Sequence, residues 1–202
     1  MLEKMEKKFT TRQLQAIETK NRIKEKALEL FQSNDYEKVS TTDICQSLNI
    51  AVGNFYRYYS SKEEILMESY PTFDNYVNTE FVLNNFEKNT EAIKYLIYKQ
   101  TNVAEVLGAK IYAQMLRVQV KNEGKYVTES TRAFHTCLRK LVQNAIDDKE
   151  IMTGYSAGEI SSLILRTSRG LLLEWAMGNG QYSVSEYAVH DIDMILNSMK
   201  CR

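Results

Sequence analysis

Most side chains able to make or break bonds stand without the partners such chemistry needs. His135 and His190 fall in different helical segments, neither beside an evident acid or nucleophile, so general acid–base catalysis lacks its pair. His135 and Cys137 are two residues apart on one helix, and their side chains diverge to different faces, so no metal site is expected. Cys45, Cys137 and Cys201 are widely spaced with no Cys-x-x-Cys pair, which argues against a disulfide framework and for a reducing, cytoplasmic setting. No enzyme activity and no cofactor is expected. The informative concentration is instead Ser40 to Lys62, where small, aromatic and polar residues alternate. Ala51, Val52, Asn54 and Arg57 suit base edges: Asn54 pairs with a base or the sugar-phosphate, and Val52 meets a thymine methyl. Gly53 has no side chain to hold a DNA backbone away. Tyr56, Tyr58 and Lys62, with Ser40 and Thr42 at a helix N-terminus, suit phosphates. The chemistry is recognition of double-stranded DNA.

Such residues must be held by short helices. Ile17, Ile23, Ala27, Leu28, Leu30 and Phe31 recur at helical spacing and stop at Ser33-Asn34-Asp35, a turn-prone cluster. Ser40-Thr41-Thr42-Asp43 matches a capping box, so a second helix starts at Thr41 and runs through Ile44, Cys45 and Leu48 to Asn49. A third short helix carries Val52, Phe55, Tyr56 and Tyr59, with Ile50 and Phe55 facing inward to pin it. Ser60-Ser61-Lys62-Glu63-Glu64 caps a fourth. Two short helices joined tightly, the second presenting small and aromatic groups, make a helix-turn-helix.

The string from Ala51 through Asn54-Phe55-Tyr56-Arg57-Tyr58-Tyr59 to Ser61-Lys62-Glu63-Glu64-Ile65 resembles the recognition-helix signature of the TetR/AcrR family. Ala27-Leu28-Glu29-Leu30-Phe31, Tyr36, Ser40 and Asp43-Ile44 precede it in the family's order, and the resemblance covers about Ile23 to Tyr70. It implies an all-α protein: a three-helix head over residues 1–60, a fourth helix from about 61 as connector, and a ligand-binding and dimerisation body over 72–202. It supports Ser40, Thr42, Tyr56, Tyr58 and Lys62 as phosphate contacts. Ala51 and Val52 stand where the family often has Ser and Lys, which shifts specificity onto Asn54, Arg57 and van der Waals contacts. The implied function is a homodimeric repressor of a palindromic operator, released by a small-molecule inducer. A helical adaptor that uses the same head to bind protein is the alternative, and nothing in the residues separates repressor from activator.

In the body, the family's inducer region falls on a stretch rich in Tyr95, Tyr98, Tyr112, Met115, Leu116, Phe134 and His135, and Trp175 belongs to the same expected pocket. Apolar stripes Ile160, Leu163, Ile164, Leu171 and Ile192, Ile195, Leu196, Met199 are the expected dimer contacts, as the last two helices of each subunit form a four-helix bundle in the family. Pro71, the sole proline, falls where head joins body; it should kink or restart the helix and serve as a hinge.

Bulk composition agrees with helices and adds little else. One proline and 8 glycines in 202 residues are too few for a β-rich chain with many turns, and 44% apolar residues supply a core. The formal net charge is zero, and residues 1–62 carry 11 basic residues, including Lys4, Lys7 and Lys8, against 8 acidic. The longest apolar run, Leu163 to Leu173, is broken by Arg166 and Arg169, and the N-terminus is charged, so neither a membrane span nor a signal peptide is expected.

Overall fold

The structure, a computed structural model, describes residues 10–199. Cys201 and the charged residues Glu3, Lys4, Glu6, Lys7 and Lys8 lie outside the described residues. Among those described there are α-helices and short 3-10 turns and no strand. The helices are α1 (Thr11–Ser33), α2 (Thr41–Ser47), α3 (Val52–Phe55), α4 (Lys62–Met67), α5 (Ser69–Thr79), α6 (Asn89–Leu107), α7 (Ala109–Lys121), α8 (Lys125–Thr128), α9 (Ala133–Asp147), α10 (Ala157–Met177) and α11 (Val184–Ser198). The chain divides into two compact units, Met1–Leu66 and Met67–Arg202. No described helix is long and apolar enough to cross a membrane.

In the first unit, Ile23, Ala27 and Phe31 of α1 are buried at helical spacing, and with Ile44, Cys45, Phe55 and Tyr59 they form the core of a small helical cluster. α2 begins at the capping box read from sequence. The Ser40 hydroxyl accepts the Asp43 N–H at 3.1 Å, and the Asp43 carboxylate accepts the Ser40 N–H at 2.8 Å. α2 ends where Asn49 turns left-handed (φ 53°), a conformation asparagine tolerates better than most side chains.

In the second unit, α6 packs against α9 and α11, and α10 against α7, α9 and α11. Their shared core is Ile93, Leu96 and Ile97 of α6, Leu138 and Val142 of α9, Ile160 and Ile164 of α10, and Ile192 and Leu196 of α11. Burying each such aliphatic side chain contributes about 1.5–3 kcal/mol. Gly108 separates α6 from α7. Its φ of 84° lies in the region side chains avoid, and its N–H closes α6 on the Ala104 and Glu105 carbonyls. Pro71 restarts a helix: it sits in the first turn of α5, where no intrahelical N–H is required of it.

Candidate nucleic-acid interface and ligand cavity

The recognition element of the first unit is short, and its position is fixed from beneath. α3 spans four residues, fewer than the run to Tyr59 expected from sequence, because Arg57 N–H and Tyr58 N–H bond to the Asn54 and Phe55 carbonyls and tighten the last turn. Phe55 is fully buried, edge-on to Tyr56 with ring centroids 5.4 Å apart, while Ile50 is half-buried. Opposite that anchor, Ala51, Val52, Gly53, Tyr56 and Arg57 are exposed and Asn54 and Tyr58 half-buried. A Cβ on Gly53 would meet no atom within 4 Å, so nothing inside the protein asks for glycine there. Ser40 and Thr42 are exposed at the start of α2, and the Tyr56 hydroxyl lies 3.4 Å from Thr41 Oγ1, tying the two helices' outward ends together.

Lys62 departs from the expected phosphate role. Its Nζ donates to the Tyr36 carbonyl at 2.7 Å and the Val39 carbonyl at 2.9 Å, and lies 4.1 Å from the centre of the Tyr36 ring. Those contacts spend the ammonium on clamping the start of α4 to the α1–α2 connection, so the residue positions the head.

The second unit encloses a cavity of about 60 Å³ among α5, α6, α7, α9 and α10. Gln100, Val103, Ala104 and Leu107 of α6 face it at i, i+3, i+4, i+7 spacing, across from Tyr112 and Met115 of α7 and Phe134 and His135 of α9. Tyr70 and Phe73 of α5 and the cations Arg132 and Arg169 complete the wall. Arg132 Nε pairs with the Asp74 carboxylate at 2.8 Å, and Asp74 also accepts the Phe134 N–H at 3.1 Å, which caps α9. Arg132 lies over the Tyr70 ring, 5.0 Å from its centre, and Tyr70 stacks on Tyr126 at 5.2 Å. His135 Nδ1 donates to the Glu129 carbonyl at 2.7 Å, which leaves Nε2 to accept from Arg169 at 3.2 Å; Arg169 also donates to the Val127 carbonyl at 2.6 Å. Burial, aided by both arginines, holds the His135 pKa below the ordinary histidine value, which fits the neutral tautomer those bonds require.

Residues 23–68 match the family model described as bacterial regulatory proteins, tetR family. That stretch carries the TetR-family signature. Over 98 residues it is 29% identical to IcaR, the negative transcriptional regulator of the biofilm operon of Staphylococcus epidermidis, and the match covers 48% of the chain and 52% of IcaR, about half the length of each. With the transcriptional regulator UidR of Escherichia coli K12 it shares 24% identity over 169 residues, 80% of this chain and 84% of UidR. The fold is that of the FadR regulator of Bacillus subtilis, solved in complex with stearoyl-CoA: TM-score 0.65 at 15% identity, covering 89% of this chain and 98% of that one.

The residues expected to bind ligand fall in two groups. Tyr112, Met115, Phe134 and His135 line the cavity; Tyr95, Tyr98, Leu116 and Trp175 do not. The Tyr95 ring packs on Phe81 and Phe86. Tyr98 lies on α6 outside the i, i+3, i+4, i+7 stripe that faces the cavity. Leu116 lines an outer groove with Val120, Leu173 and Met177. Trp175 stands behind Tyr112, its indole N–H bonded to the Tyr182 carbonyl at 2.9 Å and its ring covered by Gly180, where an added Cβ would lie 3.2 Å from the indole. Arg132, Arg169, Tyr70 and Gln100 were not expected at the site. Arg169 was legible only as a charge interrupting an apolar run, which is the signature of a buried cation with a task.

The residues expected at a dimer contact divide in the same way. Ile160, Ile164, Ile192 and Leu196 are spent in the subunit's own core, each no more than 2% exposed, because α10 and α11 turn these stripes toward α6 and α9. Leu171, Ile195 and Met199 are half-buried against that core, and Leu163 is exposed. The outward sides of the two helices instead show Leu163, Leu173, Met177, Tyr187 and Met194.

Proposed function

We propose that this TetR-family regulator acts as a homodimeric repressor, binding a palindromic operator through α2 and α3 and releasing it when a small molecule fills the cavity of the second unit. The observation that carries the reading is α3 itself: Phe55 fixes it from beneath, and its outward side has a glycine that the fold does not require, flanked by Asn54, Tyr56 and Arg57. Ser40, Thr42, Tyr56 and Tyr58 contact phosphates, and Ala51, Val52, Asn54 and Arg57 face base edges. The exposed apolar residues of α10 and α11 are the dimer face, which puts two heads on half-sites about one helical turn apart. The Tyr70 and Phe73 side chains in the cavity wall belong to α5, which follows α4 after a single residue, so a ligand against them biases the element leading to the head.

That the B. subtilis FadR structure contains stearoyl-CoA supports a small-molecule ligand for this architecture. The test is fluorescence anisotropy with duplexes selected from random sequence. Wild type should select a palindrome, and Tyr56→Ala should weaken binding at least tenfold with an unchanged melting temperature. Failure to bind any duplex at low salt overturns the reading.

A further inference from the structure

Among the described residues, one guanidinium of the cavity has no carboxylate paired with it. Two guanidiniums face the cavity, but the one carboxylate beside them, Asp74, is taken by Arg132 and the α9 N-terminus. Arg169 is half-buried and, among the described residues, bonds only to a carbonyl and a neutral imidazole nitrogen. The phenols that interact with it, Tyr70 and Tyr112, do not ionise near neutral pH: burial pushes the Tyr70 hydroxyl up to about 12 and raises that of Tyr112 as well. Neither therefore serves as counter-ion. Burial of an arginine without an anion is costly, and proteins rarely leave one so unless the anion comes from outside. Beside Ser69 and Gln100, the wall has an apolar part made by Phe73, Val103, Met115 and Phe134.

We propose that the ligand of this cavity is a small organic carboxylate, its carboxylate bonded to Arg169 and its apolar body against Phe73, Met115 and Phe134. Arg169 has donors to spare: its bonds to Val127 and His135 both leave from Nη2, so Nε–H and the Nη1 hydrogens remain as separate donors, each able to reach a carboxylate oxygen. Arg132, paired with Asp74, stays held at the α9 end of the cavity and leaves Arg169 as the unpaired cation among the described residues. The inference rests on the ligand-release reading only for its effect on DNA; binding itself is measured on the free protein.

The probes are benzoate and hexanoate, with benzyl alcohol and hexanol as neutral partners of matching body, and inorganic phosphate as an anion without one. Calorimetric titration and thermal shift should show at least one carboxylate binding tenfold or more tighter than its alcohol, and phosphate binding more weakly than that carboxylate. Arg169→Met should erase the preference of carboxylate over alcohol, and Arg169→Lys, which keeps the charge but not the guanidinium's donor geometry, should retain part of it; circular dichroism confirms that both are folded. Equal affinity for acid and alcohol, no binding by either carboxylate, or an undiminished preference in Arg169→Met overturns the proposal. Carboxylate binding that leaves operator affinity unchanged upholds this inference and sinks the release mechanism instead.

Discussion

At the residue scale, Lys62 and Arg57 make opposite uses of a positive charge. Arg57 is exposed beside the recognition residues, whereas the Lys62 ammonium donates to two carbonyls and lies over a tyrosine ring. Arg57, which faces base edges, should on change to Met cost about 1–3 kcal/mol of operator affinity and relax the sequence preference, measured with the selected duplex and its single-base variants. For Lys62 the handle is the salt dependence of operator binding, because each lysine or arginine that neutralises a phosphate contributes about 0.9 to the slope of log K against log salt. Lys62→Met should leave the slope unchanged and lower unfolding stability by about 1–3 kcal/mol, the cost of carbonyls left without their donor, as read by urea titration. The pattern of residues around Lys62 is the same for a phosphate ligand and a clamp, so sequence alone had no means of telling which way its side chain turned.

Helix ends are where distant parts of the chain act on one another. α6 begins at Lys88, which supplies no side-chain cap, and the Glu150 carboxylate from beyond α9 does so instead, accepting the Asn89 and Thr90 N–H groups at 2.6 and 2.8 Å. Burial would raise the Glu150 pKa, but those backbone bonds and the side-chain bonds from both residues outweigh it and hold the carboxyl below its ordinary value. Glu150→Ala should therefore cost about 1–2 kcal/mol at neutral pH in chemical denaturation. Glu105 plays the same part for α11, taking the Ser185 N–H at 3.1 Å and the Ser183 and Ser185 hydroxyls. Pro71 belongs at this scale too. If α5 carries the ligand signal, Pro71→Ala should change operator affinity or its response to ligand in anisotropy titrations; both unchanged would remove the hinge role.

For the whole molecule, pH and assembly are the measurable handles. His135 is held neutral in the folded state by burial and two arginines, so its folded pKa lies below the 6.5 of an ordinary histidine. Its contribution to stability is complete above about pH 6.5 and is lost as pH falls from there toward the folded value, because the unfolded chain takes up the proton first. The melting temperature should drop between about pH 7 and about pH 5, and His135→Gln should flatten that drop. Glu150, whose ordinary value is 4.5, responds at lower pH and is separable. In assembly, Leu163→Glu combined with Met194→Glu should shift sedimentation from dimer toward monomer and weaken operator binding at least a hundredfold, since a single short recognition helix lacks the affinity of two.

The head was legible because its signals are local. A capping box, a glycine flanked by small residues and an aromatic anchor at Phe55 each lie within a few residues of what they control, and Pro71 marks a helix start by its own backbone restriction. Periodicity likewise gave the body its helices and their apolar stripes. It did not say which neighbour each stripe meets. Ile160 and Leu163 share a helix and an apolar character, yet one is core and the other surface, and Tyr95 and Tyr112 differ only in what packs on them. The convergence of Arg132, Arg169 and His135 on one cavity depends on packing between α9 and α10 across more than thirty residues of chain. Only tertiary structure decides such neighbours, because desolvation and charge pairing are properties of a place in the fold and not of a position in the sequence.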